Sequence, residues 1–229
     1  MAADEEALLP VEELVKAAVD EQLQERRIRQ INKAIADSQI PYPQATIAEI
    51  EYPAGRGINA KRMARYANAD WHTPTTVVIR SATGGGKTYI ASAIGVAACI
   101  NGYTVHYIRF YDLPRMLAVT RADAYKHEET LSTLIDVDLL IIDDFAIVAI
   151  DASTQSDLLA ILGARDNRRS TIFVTQSGPS HWSQAMPGIL ASDSIINRMT
   201  AAAKRVELGD LDMRTLYGQR ARQTPDYWE

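Results

Sequence analysis

Along most of the chain, short apolar blocks alternate with longer stretches of mixed polarity. The blocks at 75–80, 103–108, 137–143 and 171–175 read as strands, and 206–208 as a fifth. The stretches at 88–100, 113–125, 153–168 and 195–203 have the length and make-up of helices. Strands alternating with helices pair in parallel while the helices cover both sheet faces. The pattern therefore predicts an α/β fold around a central parallel five-stranded sheet.

The first 40 residues are different. After Pro10 there is no Gly or Pro until Pro41, and Leu14, Ala17, Ala18, Leu23, Ile28, Ile31 and Ile35 recur near helical spacing, which predicts a helix over 11–36. Pro10 fits its first turn, and Pro41 and Pro43 forbid its continuation. Acidic residues crowd its front, while Arg26, Arg27, Arg29 and Lys33 sit toward its end, an asymmetry the helix dipole favours. The basic cluster is either a solvated helix end or a contact for DNA or a partner. Residues 41–73 read as a connector with a short helix at 60–68 carrying Lys61, Arg62 and Arg65. The strand-and-helix domain spans 74–214, and 215–229 is a tail expected to dock or fray.

Composition narrows the class. The chain has 229 residues, 47% hydrophobic and 23% charged, which excludes a disordered tail protein, a collagen-like fibre and a disulfide scaffold. Cys99 is the only cysteine and cannot form an internal bridge. No run approaches the roughly 20 apolar residues that span a bilayer, and the start Met-Ala-Ala-Asp-Glu-Glu has the wrong charge for a secretory signal. A cytoplasmic protein with no membrane partner is expected. The net charge of −5 excludes a globally basic nucleic-acid coat, so any phosphate-backbone contact must use a local surface. His72, His106, His127 and His181 show no metal-ligand spacing.

The chemistry begins where the first strand ends, in SATGGGKT, Ser81 to Thr88. Amides of a Gly-rich turn wrap anionic phosphates, and the following helix adds its dipole. Lys87 would reach the outer phosphates and Thr88 would place its hydroxyl on Mg2+. Ser81 stands where the phosphate-loop pattern has its first glycine; it fits if its φ is negative, because Cβ makes the left-handed region costly. Gly84, Gly85 and Gly86 keep the rest free of Cβ. The third strand, Leu139–Ile142 in sequence, runs directly into Asp143 and Asp144, like a strand buried on both faces with two carboxylates at its end. Asp143 would bind Mg2+ directly or through water, and Asp144 would orient or deprotonate the attacking water. Thr175 and Gln176 end the fourth strand at the same crevice, either bonding that water or the γ-phosphate or simply capping the strand.

The series SATGGGKTYIASAIGVAAC, VDLLIIDDF, RRSTIFVTQ and IINRM resembles the AAA+ ATPases of the helicase-loader branch, most closely the IstB-type transposition helpers, with DnaC-type loaders as near relatives. The similarity extends upstream through RRIRQINKAIADSQIPYPQATIAEIEY. The resemblance implies a P-loop NTPase of the AAA+ type that self-assembles in an ATP-dependent oligomer. Its catalytic set would be Lys87, Asp144, Gln176, Arg198 as a trans-acting finger in IINRM, and Arg214 as a cis sensor in LDMRTL. Its nucleotide contacts would be Ser81, Ala82, Thr83, Gly84, Gly85, Gly86, Lys87, Thr88, Tyr89 and Thr175, with Thr88 and Asp143 on the metal. An Asp-Asp strand end is also met in that branch, whereas Ser81 departs from its pattern and bears on nucleotide affinity.

The stretch between the second and third strands exceeds the roughly 10–12 residues of a minimal crossover and resembles a DNA-touching insertion in that branch. It carries Arg109, Arg115, Arg121 and Lys126, which join Arg26, Arg27, Arg29, Lys33, Lys61, Arg62 and Arg65 as candidate DNA contacts. With no recognition helix or zinc ligands, backbone contact of little sequence preference is expected, and the partner would be a transposase or a replicative helicase. A DnaC-like loader is the alternative to a transposition helper. A small-molecule kinase and a non-hydrolysing assembly protein lie further off.

Overall fold

The computed structural model describes residues 11–222; residues 1–10, including Pro10, and 223–229 lie outside the description. The strands are β1 (Thr76–Arg80), β2 (Val105–Arg109), β3 (Leu139–Asp143), β4 (Ser170–Thr175) and β5 (Lys204–Glu207). They form one parallel sheet in the order β2-β3-β4-β1-β5. Register aligns Arg80 with Thr175 and Glu207, and Arg109 with Asp143, so all five strands finish on a common edge.

Alternation along the strands divides the core in two. Val77, Ile79, Val105, Tyr107, Leu139, Ile141, Ile172, Val174 and Val206 face one side, under α3 (Lys87–Ile100). Val78, Ile108, Leu140, Ile142 and Phe173 face the other, under α4 (Leu113–Thr120), α6 (Ala152–Arg165) and α8 (Ile189–Thr200). Residues of α3 such as Ile90 and Ile94 are fully enclosed, each stabilising the fold by about 1.5–3 kcal/mol. Gly95 of α3 lets it lie close, since a Cβ there would come within 2.8 Å of Ile40 and 3.0 Å of Ile141.

The 41–73 segment packs into the α3-side core through Ala45, Ile50, Ile58, Met63, Tyr66 and Trp71, with α2 (Ala60–Ala67) capped by the Asn59 side chain. The long helix α1 (Val11–Asp37) touches that core near its end, through Ala34 and Ile35, while Leu14, Val15, Val19, Leu23 and Ile28 are exposed. Just past α1, the Ser38 carbonyl accepts Tyr107 N–H at 2.8 Å and partly covers the edge strand β2.

Two helical expectations change, and a further helix enters the tail. The single helix at 113–125 is two, α4 and α5 (Ala124–Asp136), because Asp123 accepts Tyr125 and Lys126 amides and starts a new helix. Beyond β4, α7 (Pro179–Trp182) buries Trp182, and α8 begins at Ile189 rather than 195. From the end of the expected 74–214 domain, α9 (Met213–Arg222) runs into the tail, and its Met213 amide bonds the Gly84 carbonyl at 3.0 Å.

Candidate nucleotide site

The loop between β1 and α3 is shaped by its glycines. Gly84 and Gly86 have φ of +85° and +82°, and a Cβ on Gly84 would lie 2.2 Å from Asp212 Oδ1. Ser81 is not among the positive-φ residues, so its Cβ carries no such penalty. Its side chain fills the space beside Gly85, where a second Cβ would sit 2.9 Å from that of Ser81. Lys87 is buried at the helix start, and its Nζ donates to the Ser81 and Ala82 carbonyls at 2.9 and 2.8 Å. Burial lowers its pKa, while Asp143 and Asp144 oppose that shift.

A cleft of about 580 Å³ opens beside this loop, lined by Gly84, Lys87, Thr88, Arg109, Asp144, Gln176 and Arg214 among others. Thr88 Oγ1 donates to Asp143 Oδ2 at 2.7 Å, and Asp144 N–H donates to Asp143 Oδ1 at 2.7 Å. Asp144 has φ of +51° and Ala146 +59°; this turn leaves Asp144 at the cleft while Phe145 enters the core. Asp tolerates the left-handed region better than most residues, whereas Ala146 holds strain there. Burial, and next the Asp143 charge, raise the Asp144 pKa, with Lys87 and Arg109 opposing. Thr83 Oγ1 donates to Gln176 Oε1 at 2.7 Å, and the Tyr89 hydroxyl, also at the cleft, donates to Glu49 at 3.0 Å.

Several expected residues lie elsewhere. Thr175 is fully buried; its hydroxyl accepts Trp182 Nε1–H at 3.1 Å and lies 3.2 Å from the Phe145 carbonyl, so it braces the strand end rather than facing the cleft. Arg109, expected on a DNA face, lines the cleft because β2 ends on the same edge as β3. Arg121 is tied to Asp157 at 2.6 Å, clamping α4 to α6 instead of presenting a free cation. The Arg62 guanidinium donates to the Arg205 carbonyl, pinning α2 to β5. Arg26, Arg27, Arg29, Lys33, Lys61 and Arg115 remain exposed, Arg29 within 3.6 Å of Glu25.

Arg198 is far from this cleft. It lines a second hollow of about 330 Å³ with Thr76, Thr171 and Lys204, residues at the starting ends of β1, β4 and β5. Its Nε lies 3.7 Å from Asp166 Oδ2, and it also donates to Ser194.

Two cleft neighbours escaped the sequence reading. Arg56, in the 41–73 segment, approaches the Gly85 carbonyl at 3.4 Å; no motif marks it. Tyr107 donates its hydroxyl to Asp143 Oδ2 at 2.5 Å, and burial followed by the Asp143 charge holds that phenol protonated. The parallel register of β2 and β3 was the available signal for Tyr107.

The donor set suits a magnesium nucleotide. Among the described residues no group of three or more His, Cys, Asp or Glu forms a metal cage; one hydroxyl and one carboxylate beside a phosphate cradle match an ion that shares its shell with phosphates and water. Fold and site together define a P-loop nucleotide-binding protein of the AAA+ type. The IstB-like ATP binding protein family model matches residues 1–221, and the chain belongs to that family. It is 29% identical over 169 residues to an ATP-binding protein of insertion sequence IS1162 from Pseudomonas fluorescens, covering 73% of each chain. It is 31% identical over 172 residues to the insertion sequence ATP-binding protein y4pL of Sinorhizobium fredii, covering 75% of this chain and 70% of that one. The DnaC helicase loader structure superimposes with a TM-score of 0.62 at 14% identity, over 73% of this chain and 98% of that one. AMPPCP-bound DnaA from Aquifex aeolicus gives 0.62 at 18% identity, over 79% of this chain and 56% of that longer one. These structures share the fold. None of the described helices is long and apolar enough to cross a membrane.

Proposed function

We propose that the protein is a Mg2+-dependent ATP hydrolase that assembles on DNA and assists a transposase in target selection. The observation that carries this reading is the buried Asp143 bonded to Thr88 and to the Asp144 amide, with Thr88, Asp144, Lys87 and Arg214 lining one cleft. A bound Mg2+ would supply positive charge to the phosphate oxygens, held by Thr88 and Asp143. Lys87 and the loop amides fix the phosphates, Asp144 accepts a proton from the attacking water, and Gln176 orients that water. Arg214 adds charge from the same subunit. Arg198, at the opposite end of the strands, would complete the cleft of a neighbouring copy, so that hydrolysis depends on assembly.

Exposed Arg26, Arg27, Arg29, Lys33, Lys61, Arg65 and Arg115 would meet DNA phosphates. If one subunit neutralised about 3 phosphates, the salt slope on duplex would be roughly −2.7 per subunit. The relatives' insertion-sequence names favour a transposase over a replicative helicase as the partner. The test is the ATP hydrolysis rate with and without duplex DNA, alongside mass in a non-hydrolysable analogue. DNA stimulation and a nucleotide-dependent rise in mass are expected; a folded protein that takes up no nucleotide at millimolar Mg-ATP sinks the reading.

A further inference from the structure

We infer that Tyr107 is a positioning residue for Asp143, fixing the carboxylate that is to hold magnesium; the inference rests on reading the cleft as a magnesium-nucleotide site. Val105, Tyr107, Leu139 and Ile141 all belong to the α3-side core, and the two-residue period carries Asp143 to that same side. Register pairs Tyr107 with Ile141 and Arg109 with Asp143, so Tyr107 lies one step back on the adjacent strand. A phenol spans that diagonal, whereas most shorter side chains would not.

The result is a fully held carboxylate. Oδ2 accepts from Thr88 and from Tyr107, and Oδ1 accepts the Asp144 amide. The Thr88 partner is the one the metal would recruit, and the Asp144 amide sits on a strained turn. Tyr107 is the remaining anchor, and it is itself fixed: 4% exposed, with its amide bonded to the Ser38 carbonyl at 2.8 Å. That bond ties the Asp143 partner to the chain just past α1. Residues that orient a metal ligand in this way typically contribute about 10–100-fold to metal affinity.

The experiment uses the full chain and a fluorescent ATP analogue, titrated in EDTA and then with increasing Mg2+. Tyr107→Phe removes the hydroxyl and keeps the ring. It is expected to bind the analogue within about twofold of wild type in EDTA and to melt within a few degrees of it. Its half-saturating Mg2+ concentration should rise about tenfold or more. Tyr103→Phe, whose hydroxyl meets Asp70 before β2 begins, should change neither quantity. An unchanged Mg2+ midpoint in Tyr107→Phe, or equal weakening with and without Mg2+, overturns the role. Wild-type protein that binds no analogue, or binds it without regard to Mg2+, instead overturns the reading of the cleft and the inference with it.

Discussion

The two edges of the sheet both gather arginines, yet they treat them in opposite ways. At the finishing edge, Arg109 and Arg214 line an open cleft beside two carboxylates. At the starting edge, Arg165 is 1% exposed, and its guanidinium donates to the carbonyls of Leu134, Ile135, Val137 and Ser170 and to Thr171 Oγ1. It closes the end of α5 onto β4, and burial holds its pKa down to about 9. Arg165 is saturated by backbone carbonyls, whereas Arg109, which donates to the Tyr111 hydroxyl at 2.7 Å, and Arg214 stand at an open cleft. Arg198 lies between these cases, on the starting edge but only partly tied, by Asp166 and Ser194.

The largest expected effect breaks the comparison at Arg198. Removing a trans-acting arginine finger costs roughly 10³–10⁵ in rate. Arg198→Ala should lose most hydrolysis as a pure sample, as should Lys87→Ala. Mixing the two should restore activity, because an intact cleft from the first then meets an intact finger from the second. If the mixture stays silent while mass measurements show mixed assemblies, Arg198 is a starting-edge structural residue like Arg165.

Next comes Asp144→Asn, where loss of a general base is expected to cost about 10²–10⁴ in hydrolysis. Nucleotide affinity should change little. The raised pKa of Asp144 means that its ionised form is disfavoured in the fold, so stability linked to it falls as pH rises through the carboxylate range. Asparagine removes that penalty, and the variant should melt no lower than wild type at neutral pH. In wild type the same shift puts the acid limb of hydrolysis above the ordinary carboxylate range of 3.8. A limb at or below that value would show that the rate follows another group.

Arg165→Met tests the other edge and should do the reverse. Stranding several buried carbonyls costs about 3 kcal/mol or more, read as a lower denaturant midpoint, with Mg-ATP affinity of the folded fraction unchanged. A large affinity loss at constant stability would mean that the two edges are coupled.

How far the sequence reveals these edges depends on the interaction involved. The strands were legible within a few residues because a parallel sheet buried on both faces writes itself as apolar blocks. The loop glycines and Asp143-Asp144 were legible because phosphate and metal chemistry restrict residue types at fixed spacing. Arg109 and Arg121 were not, since a cation looks the same in sequence whether it faces solvent, a cleft or Asp157. Thr175 failed similarly: a strand-end hydroxyl carries no mark of which way it turns, and Trp182, which claims it, belongs to a short helix the apolar pattern did not reveal. Helix breaks such as that at Asp123 are local capping events, visible as an Asx residue but easily overridden by a continuing periodicity.

The smallest expected effect concerns Ser81, the residue that departs from the phosphate-loop pattern. Its φ is not positive, so glycine there relieves no left-handed strain. Its hydroxyl donates to the Ala82 carbonyl at 3.0 Å, and its side chain occupies the space left by Gly85. Ser81→Gly removes that filling and adds backbone freedom, which costs about 0.5–1 kcal/mol in ordered segments. The loop carbonyls that hold Lys87 stay in place, because they are backbone groups. Mg-ATP affinity should therefore shift by less than tenfold in equilibrium titration. A gain larger than that would mean the serine restrains the finishing edge, and that this edge, like the starting one, is partly closed by its own side chains.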